Sequence, residues 1–319
     1  MASEPLVAVR DLTVRYAAGD GGAPVTAVDG LSLAIAPGEA LGVLGESGCG
    51  KTSLALAILG LLPPGGVIAG GSIRFRGVEL VGLGQRRLRR LRGAEVSLVF
   101  QEPALALHPT RRVGEQVVEV IRAHRRWRAR RCRAAAEELL AEVGLAGLGH
   151  AYPHQLSGGQ RQRVVIAQAL SCRPSLVIAD EPTAALDATT ERQVLDLLNG
   201  LRERFGVAFL YISHDPRVLA EIADRLLVMY AGRAAEEGPR EDVLREPLHP
   251  YAEGLLACMT PAGPGRELRA LPGRAPVVRV PAPGCRFAPR CPYRMERCEV
   301  RDPVATAPRQ GRRVHCFRY

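Results

Sequence analysis

Over the first 45 residues, short apolar runs alternate with turn residues. The stretches "LVAVRDLTVRY" and "LSLAIAPGEALGVLG" read as β-strands divided by Gly and Pro. An apolar helical pattern follows from about Gly50 to Leu61, and Pro63-Pro64 is expected to end it. "SIRFRG" and "EVSLVF" predict further strands. From about residue 105 to 155 the chain turns Arg-, Ala- and Leu-rich with helical spacing and no strand alternation, which predicts a helical insertion. The earlier pattern then returns. It predicts a helix from about Gly158 to Leu170, the strand "LVIAD", a helix near 189–204, the strand "AFLYIS", a helix near 216–223 and the strand "RLLVMY". Strands alternating with helices imply an α/β protein with a mostly parallel sheet. Beyond Arg240 the periodicity fades. Residues 239–319 hold 13 of the 24 prolines, which predicts a separate, loop-rich extension.

Composition narrows this picture. The 319 residues allow one large domain with an extension, or two modest domains. The chain is 47% hydrophobic but only 4% aromatic, so its core must be aliphatic. No apolar run reaches the roughly 18–20 residues that span a bilayer; the best, "LALAILGLL", stops at Pro63. The N-terminus lacks the basic and apolar regions of a secretory signal, and a cytosolic chain is expected. Clustered cysteines there suggest metal before disulfide.

The net charge of +10 comes largely from two runs, "RRLRRLR" (Arg86–Arg92) and "RAHRRWRARRCR" (Arg122–Arg133). Solvated helix faces are the first reading. Contact with anionic phospholipid headgroups is the second. Nucleic acid is the third and is not expected, because no aromatic platform accompanies the arginines.

Against so much arginine, Lys51 is the only lysine. It sits in "GESGCGKT" (Gly45–Thr52), which fits G-x-x-x-x-G-K-[ST], follows an apolar strand and opens a helix. Glycines there allow a tight turn and let backbone N–H groups face phosphate oxygens, and the helix dipole favours the same anion. A lysine reaches the β- and γ-phosphates as a compact charge, where arginine's planar fork is bulkier. Thr52 would give its hydroxyl to Mg²⁺. Downstream, "LVIADEP" ends an apolar strand in two acids: Asp180 is suited to hold Mg²⁺ through water, and Glu181 to take a proton from an attacking water. In "LSGGQRQRV", Ser157, Gly158 and Gly159 offer a second phosphate-binding helix start.

With these three motifs the chain resembles, over nearly its whole length, the ATP-binding subunits of ABC transporters. The resemblance implies a P-loop core of the ABC ATPase type, with a mostly parallel sheet, an N-terminal antiparallel β part and a helical signature subdomain at about 105–160. It implies that the loop Gly45, Glu46, Ser47, Gly48, Cys49, Gly50, Lys51, Thr52 and Ser53 binds ATP, with Tyr16 stacked on adenine. Ser157, Gly158, Gly159 and Gln160 would close over the ATP of a second subunit, so that a dimer sandwiches two nucleotides. Gln101 in "VFQEP" matches the glutamine that touches Mg²⁺ and the water, with Glu102 where Asp is frequent. Asp187 in "AALD" matches the D-loop aspartate, and His214 in "YISHD" the histidine at the γ-phosphate. Mg²⁺ falls to Thr52, Gln101 and Asp180, and catalysis to Glu181, His214, Gln101 and Lys51.

Three further stretches, "VFQEPALALHPTRRVGEQ", "HPYAEGLLAC" and "GCRFAPRCPYRMERC…HC", are similar to the ATPase subunits of oligopeptide and dipeptide importers, whose relatives import nickel and other small solutes. Two permease subunits, a second ATPase subunit and an extracytoplasmic solute-binding protein are the implied partners. The implied place is peripheral, on the cytoplasmic face of the cell membrane. The implied domains are an ATP-binding domain at 1–240 and an extension at 241–319. A soluble ABC ATPase acting on DNA or ribosomes is the competing class, disfavoured by the single ATPase domain and the short insertion. A non-catalytic binder is disfavoured because every catalytic position is filled.

In the extension, Cys285, Cys291, Cys298 and Cys316 are spaced C-x5-C-x6-C-x17-C. A stretch so rich in Pro, Gly and Arg buries little apolar surface and needs another staple. A four-thiolate metal site, two disulfides and unliganded cysteines are the alternatives. The tight C-x2–4-C pairs usual for zinc do not occur, while iron–sulfur clusters take four thiolates at varied spacing. The family resemblance implies a [4Fe–4S] cluster, with Zn²⁺ as the alternative. Cys49, Cys132, Cys172 and Cys258 read as ordinary small residues.

Overall fold

The computed structural model describes residues 4–18, 21–184, 186–258, 271–279 and 283–319. In chain order its strands are β1 (Val7–Tyr16), β2 (Val25–Ile35), β3 (Ala40–Leu44), β4 (Gly66–Phe75), β5 (Val78–Glu79), β6 (Val96–Val99), β7 (Leu176–Asp180), β8 (Ala208–Ser213), β9 (Arg225–Tyr230), β10 (Arg233–Pro239), β11 (Thr306–Arg309) and β12 (Arg312–Val314). The helices begin with α1 (Lys51–Leu59), α2 (Gln85–Leu91), α3 (Pro103–Ala106), α4 (Val113–His124) and α5 (Ala129–Glu142). They continue with α6 (Gly158–Leu170), α7 (Ala188–Phe205), α8 (Pro216–Ile222), α9 (Arg240–Arg245), α10 (Pro250–Ala257) and α11 (Arg297–Val300). Two compact units emerge. One comprises Met1–Ala36, Ala40–Gly82 and Ile212–Tyr319; the other comprises Pro37–Glu39 and Leu83–Tyr211.

In the first unit, β2-β1-β4-β5 form an antiparallel sheet, as the N-terminal alternation predicts. Along β1 the residues Val7, Val9, Leu12 and Val14 are buried, so one face of the strand is apolar throughout. A second run of strands has the order β11-β12-β10-β9-β3, with β3 and β9 parallel and the rest antiparallel. The sheet is therefore mixed rather than mostly parallel. The cause is local: Tyr230 pairs with Arg233, so Ala231 and Gly232 form a two-residue hairpin loop, both at positive φ (46° and 86°). This hairpin turns the chain back as β10 and gives the C-terminal residues an edge to join. There β12 pairs with β10, and a fully buried ion pair, Glu236–Arg312, links the two strands. Glu236 Oε2 also accepts the N–H groups of Leu248 and His249, each at 2.8 Å. In this unit the helix expected to run to Leu61 ends earlier. Gly60 takes a left-handed conformation (φ 61°) and donates its N–H to Ala57, which stops the helix before the prolines.

In the second unit, β6 and β7 pair in parallel from Val96↔Leu176 to Val99↔Ala179, with β8 on the other side of β7. The helical insertion consists of α3, α4 and α5, leading into α6. Val113, Gln116, Val117 and Ile121 form the buried stripe of α4, and Cys132, Ala136, Leu139 and Leu140 that of α5. The first arginine run is itself a helix: in α2 only Leu88 is buried, so its cations are a solvated face.

Candidate functional site

Each unit carries part of the expected site. In the first unit, all five residues of β3 are buried and the strand runs out at Gly45. A Cβ on Gly45 would lie 2.3 Å from the Met229 carbonyl oxygen, so only glycine lets the loop close here. Gly50, at φ 107°, would place a Cβ 2.2 Å from the Ala27 carbonyl oxygen. Helix α1 starts at the next residue, and its N-cap Gly50 supplies no side-chain cap. The first-turn N–H groups and the helix dipole together form an anion site. Lys51 is buried at 6% exposure. Its Nζ donates to the carbonyl oxygens of Gly45 (2.7 Å) and Glu46 (3.0 Å). Cys49 Sγ lies 3.8 Å from the same nitrogen. Burial pushes the Cys49 thiol pKa up, against the pull of the lysine charge.

Tyr16 ends β1 and donates its hydroxyl to Ser53 Oγ at 3.1 Å, which brings the two expected ATP-binding residues together. Its ring edge lies against Gly66, where a Cβ would approach within 2.7 Å. His214 is exposed, one residue past β8. Two residues that sequence reasoning missed also reach the phosphate loop, both from the C-terminal region. Arg290 grips the Glu46 carboxylate with two nitrogens (2.8 and 2.9 Å), and the Tyr251 hydroxyl accepts the Glu46 N–H at 2.9 Å. The only signal for Arg290 is an unpaired acid inside a phosphate-binding motif, which calls for a cation from elsewhere in the chain.

The second unit holds the two expected acids and the stretch expected to be the signature. Strand β7 delivers Asp180 at its end and Glu181 just beyond it. Glu181 sits at φ 47°, a left-handed conformation that costs a non-glycine residue about 1–3 kcal/mol. Gln101 Nε2 donates to Glu181 Oε2 at 3.2 Å, so these two expected residues meet across 80 positions of sequence. Ser157 caps α6: its Oγ accepts the Gln160 N–H, and Gln160 Oε1 accepts the Ser157 N–H at 2.9 Å. Gly158 and Gly159 thus form the first turn of α6, with Gly158 exposed and Gly159 buried. Asp187 caps α7 by accepting the Thr190 N–H (3.0 Å) and hydroxyl (2.7 Å), and these bonds hold its carboxyl below the usual range. Ala185 of the D-loop stretch lies outside the described residues.

The tail cysteines are all described. Cys298 is buried and the other three are half-buried. The Cys285 N–H donates to the Cys298 carbonyl at 2.8 Å. Burial raises the thiol pKa values of Cys285, Cys291 and Cys316, and repulsion from neighbouring thiols of the set raises each further. The four are thus electrostatic neighbours. Among the described residues, however, no three His, Cys, Asp or Glu side chains form a group that could hold a metal ion. Nor is any described helix long and apolar enough to cross a membrane.

Residues 28–184 match the ABC transporter family, and residues 235–298 match the C-terminal region of oligopeptide/dipeptide transporters. The oligopeptide transport ATP-binding protein AppD of Bacillus subtilis is 44% identical over 302 residues, covering 93% of this chain and 92% of the relative. OppD of Salmonella typhimurium is 44% identical over 319 residues, covering 98% and 93%. Among solved structures, the dimeric post-hydrolysis state of the ATP-binding cassette MJ0796, bound to ADP and Pi, superposes with a TM-score of 0.66 at 28% identity, covering 73% of this chain and 98% of that one. With relatives 44% identical aligned almost end to end and both family regions matched, the chain belongs to the family of oligopeptide and dipeptide transport ATP-binding proteins.

Proposed function

We propose that this ATPase powers a peptide importer, working as a dimer beneath two permease subunits that receive solute from an extracytoplasmic binding protein. The observation that carries the catalytic reading is the strained Glu181 at the end of β7, held by Gln101. Glu181 takes the proton of the attacking water as its oxygen bonds to the γ-phosphorus and the bond from that phosphorus to the β–γ bridging oxygen breaks, releasing ADP and phosphate, and Gln101 orients both carboxylate and water. Lys51 and the first-turn N–H groups of α1 hold the β- and γ-phosphates, Tyr16 faces adenine, and His214 contacts the γ-phosphate. The oxygen donors Thr52, Gln101 and Asp180 suit Mg²⁺, a hard cation that neutralises phosphate charge when bound. Ser157, Gly158, Gly159 and Gln160 serve the ATP of the partner subunit, with Asp187 beside them.

The helical insertion is the permease-facing part. Between α4 and α5 it carries a groove of about 780 Å³ lined by Arg111, Glu119, Arg122, Arg133, Glu137 and His150 among others. The protein is accordingly peripheral, on the cytoplasmic face of the membrane. Nickel or another small solute remains the second cargo reading, because solute choice lies in the partners. The family resemblance favours Cys285, Cys291, Cys298 and Cys316 as the donors for a [4Fe–4S] cluster, or for Zn²⁺, although among the described residues their side chains do not form a group that could hold a metal ion. Such a group would staple the extension. Anaerobic purification with metal analysis tests it: iron with a visible thiolate-to-iron band supports the cluster, stoichiometric zinc replaces it, and neither metal removes the staple.

The transport reading is tested in the assembled transporter. Peptide-loaded binding protein should raise ATP turnover well above that of the isolated chain. Stimulation by DNA or ribosomes instead, persisting at high salt where phosphate contacts weaken, would replace the importer by the soluble class.

A further inference from the structure

Glu46 is an acid at the second position of a loop built to hold polyphosphate. Left unpaired, its carboxylate would repel the phosphates of ATP held by that loop, at a site where helix dipole and lysine are arranged to attract them. The chain answers this charge from 244 residues away. Arg290 Nη1 and Nη2 each bond one Glu46 oxygen, a bidentate pair of the strong kind. The guanidinium is itself fixed: Nε donates to the Pro272 carbonyl at 2.7 Å, Nη1 also donates to the Tyr230 hydroxyl at 3.3 Å, and its carbon lies 5.6 Å from the Tyr230 ring centre. The Arg290 side chain is 5% exposed, that of Glu46 28%.

The backbone of Glu46 is held from the same side. Burial raises the Tyr251 phenol pKa, so that it stays neutral and its oxygen accepts the Glu46 N–H. Lys51 then donates to the Glu46 carbonyl. Side chain, N–H and C=O of one loop residue are thus all fixed, two of them by the C-terminal region. Arg290 ends a single helical turn, Ala288–Arg290, in the segment bracketed by Cys285 and Cys291. The Ala288 N–H donates to Cys285 and the Cys291 N–H to Ala288, so the cysteine segment is the frame that aims the arginine.

We propose that Arg290 is a positioning residue of the ATP site: it neutralises and orients Glu46, and through it the phosphate loop. The proposal rests on the phosphate loop being the ATP site. It makes the cysteine-bearing extension part of the nucleotide-binding apparatus of this chain, acting by charge rather than by contact with ATP.

The test is binding of a fluorescent ATP analogue with Mg²⁺ to the purified full chain, alongside thermal unfolding. Wild-type binding checks the site itself; its absence would sink the ATP-site reading rather than this one. Arg290→Met should weaken binding about ten- to a hundredfold, the scale of a lost hydrogen bond to a charged group. Adding Glu46→Gln should restore it to within about threefold, because the repulsive charge is then gone. In the assembled transporter Arg290→Met should raise KM for ATP with kcat largely kept. Unchanged binding in Arg290→Met, or a double variant as weak as the single, would overturn the proposal. If Arg290→Met does not fold, Arg290→Lys decides: it keeps a cation beside Glu46 but not the two-nitrogen grip, so binding within about threefold of wild type supports the charge argument, and a tenfold loss refutes it.

Discussion

The Lys51 ammonium lies 2.7 Å from the carbonyl oxygen of Gly45, the first residue of its own loop. A buried lysine folded back over a glycine turn leaves no room for a guanidinium, whose planar fork demands bidentate partners. Lys51→Arg should therefore weaken nucleotide binding or turnover although the charge is kept. Titration with nucleotide and steady-state ATPase rates measure this. Kinetics identical to wild type would show that the loop does not discriminate between the two cations.

Gly159→Ala sets two effects against each other. Replacing a helical glycine ordinarily stabilises by about 0.5–1 kcal/mol. Here the new methyl would lie 2.3 Å from Thr190 Cγ2, and the Thr190 side chain cannot swing aside without breaking its hydroxyl bond to Asp187. Overpacking costs of about 1–3 kcal/mol should win. Tm should fall, and the signature helix should shift relative to α7 with loss of ATP turnover. A stabilised Gly159→Ala variant would mean that the α6–α7 contact yields.

His249 caps α10 as a neutral ring. Its side chain accepts the Tyr251 N–H at 3.0 Å, and burial, aided by the nearby His315, lowers its pKa to about 3. In the unfolded chain the pKa returns to about 6.5. The unfolded state therefore binds the proton first. The stabilising contribution is complete above pH 6.5 and is lost as pH falls from there toward 3. Urea unfolding between pH 7 and 4 should show this decline in wild type and a shallower one in His249→Asn, which keeps an N-cap acceptor. Equal slopes in the two proteins would exclude His249 as the source.

Local chemistry made part of this site legible. The phosphate loop can be read because glycine, lysine and threonine must stand at fixed spacing, and Glu181 because an apolar strand ends in acids. The N-terminal sheet follows from apolar alternation along β1, interrupted once between Val9 and Leu12 where the pairing register shifts. Where partners are remote, the sequence is silent. Arg290 answers Glu46 across 244 positions: the acid in the loop calls for a cation, but nothing near either residue says which one. The hairpin Ala231–Gly232 was hidden because alanine rarely takes positive φ. Without it β10 went unread, and the tail was expected to stand apart rather than to add β12 to the β10 edge. Likewise α2 reads as a charge run because a single buried Leu88 gives no periodicity.

The central claim is that Glu181, held by Gln101 at the end of β7, is the base that activates water. Glu181→Gln preserves size and hydrogen bonding but cannot accept the proton. In the assembled transporter, single-turnover hydrolysis should fall about 10²–10⁴-fold, the contribution of a positioned base, while ATP binding persists and the closed dimer accumulates. Hydrolysis near the wild-type rate in that variant would contradict the account.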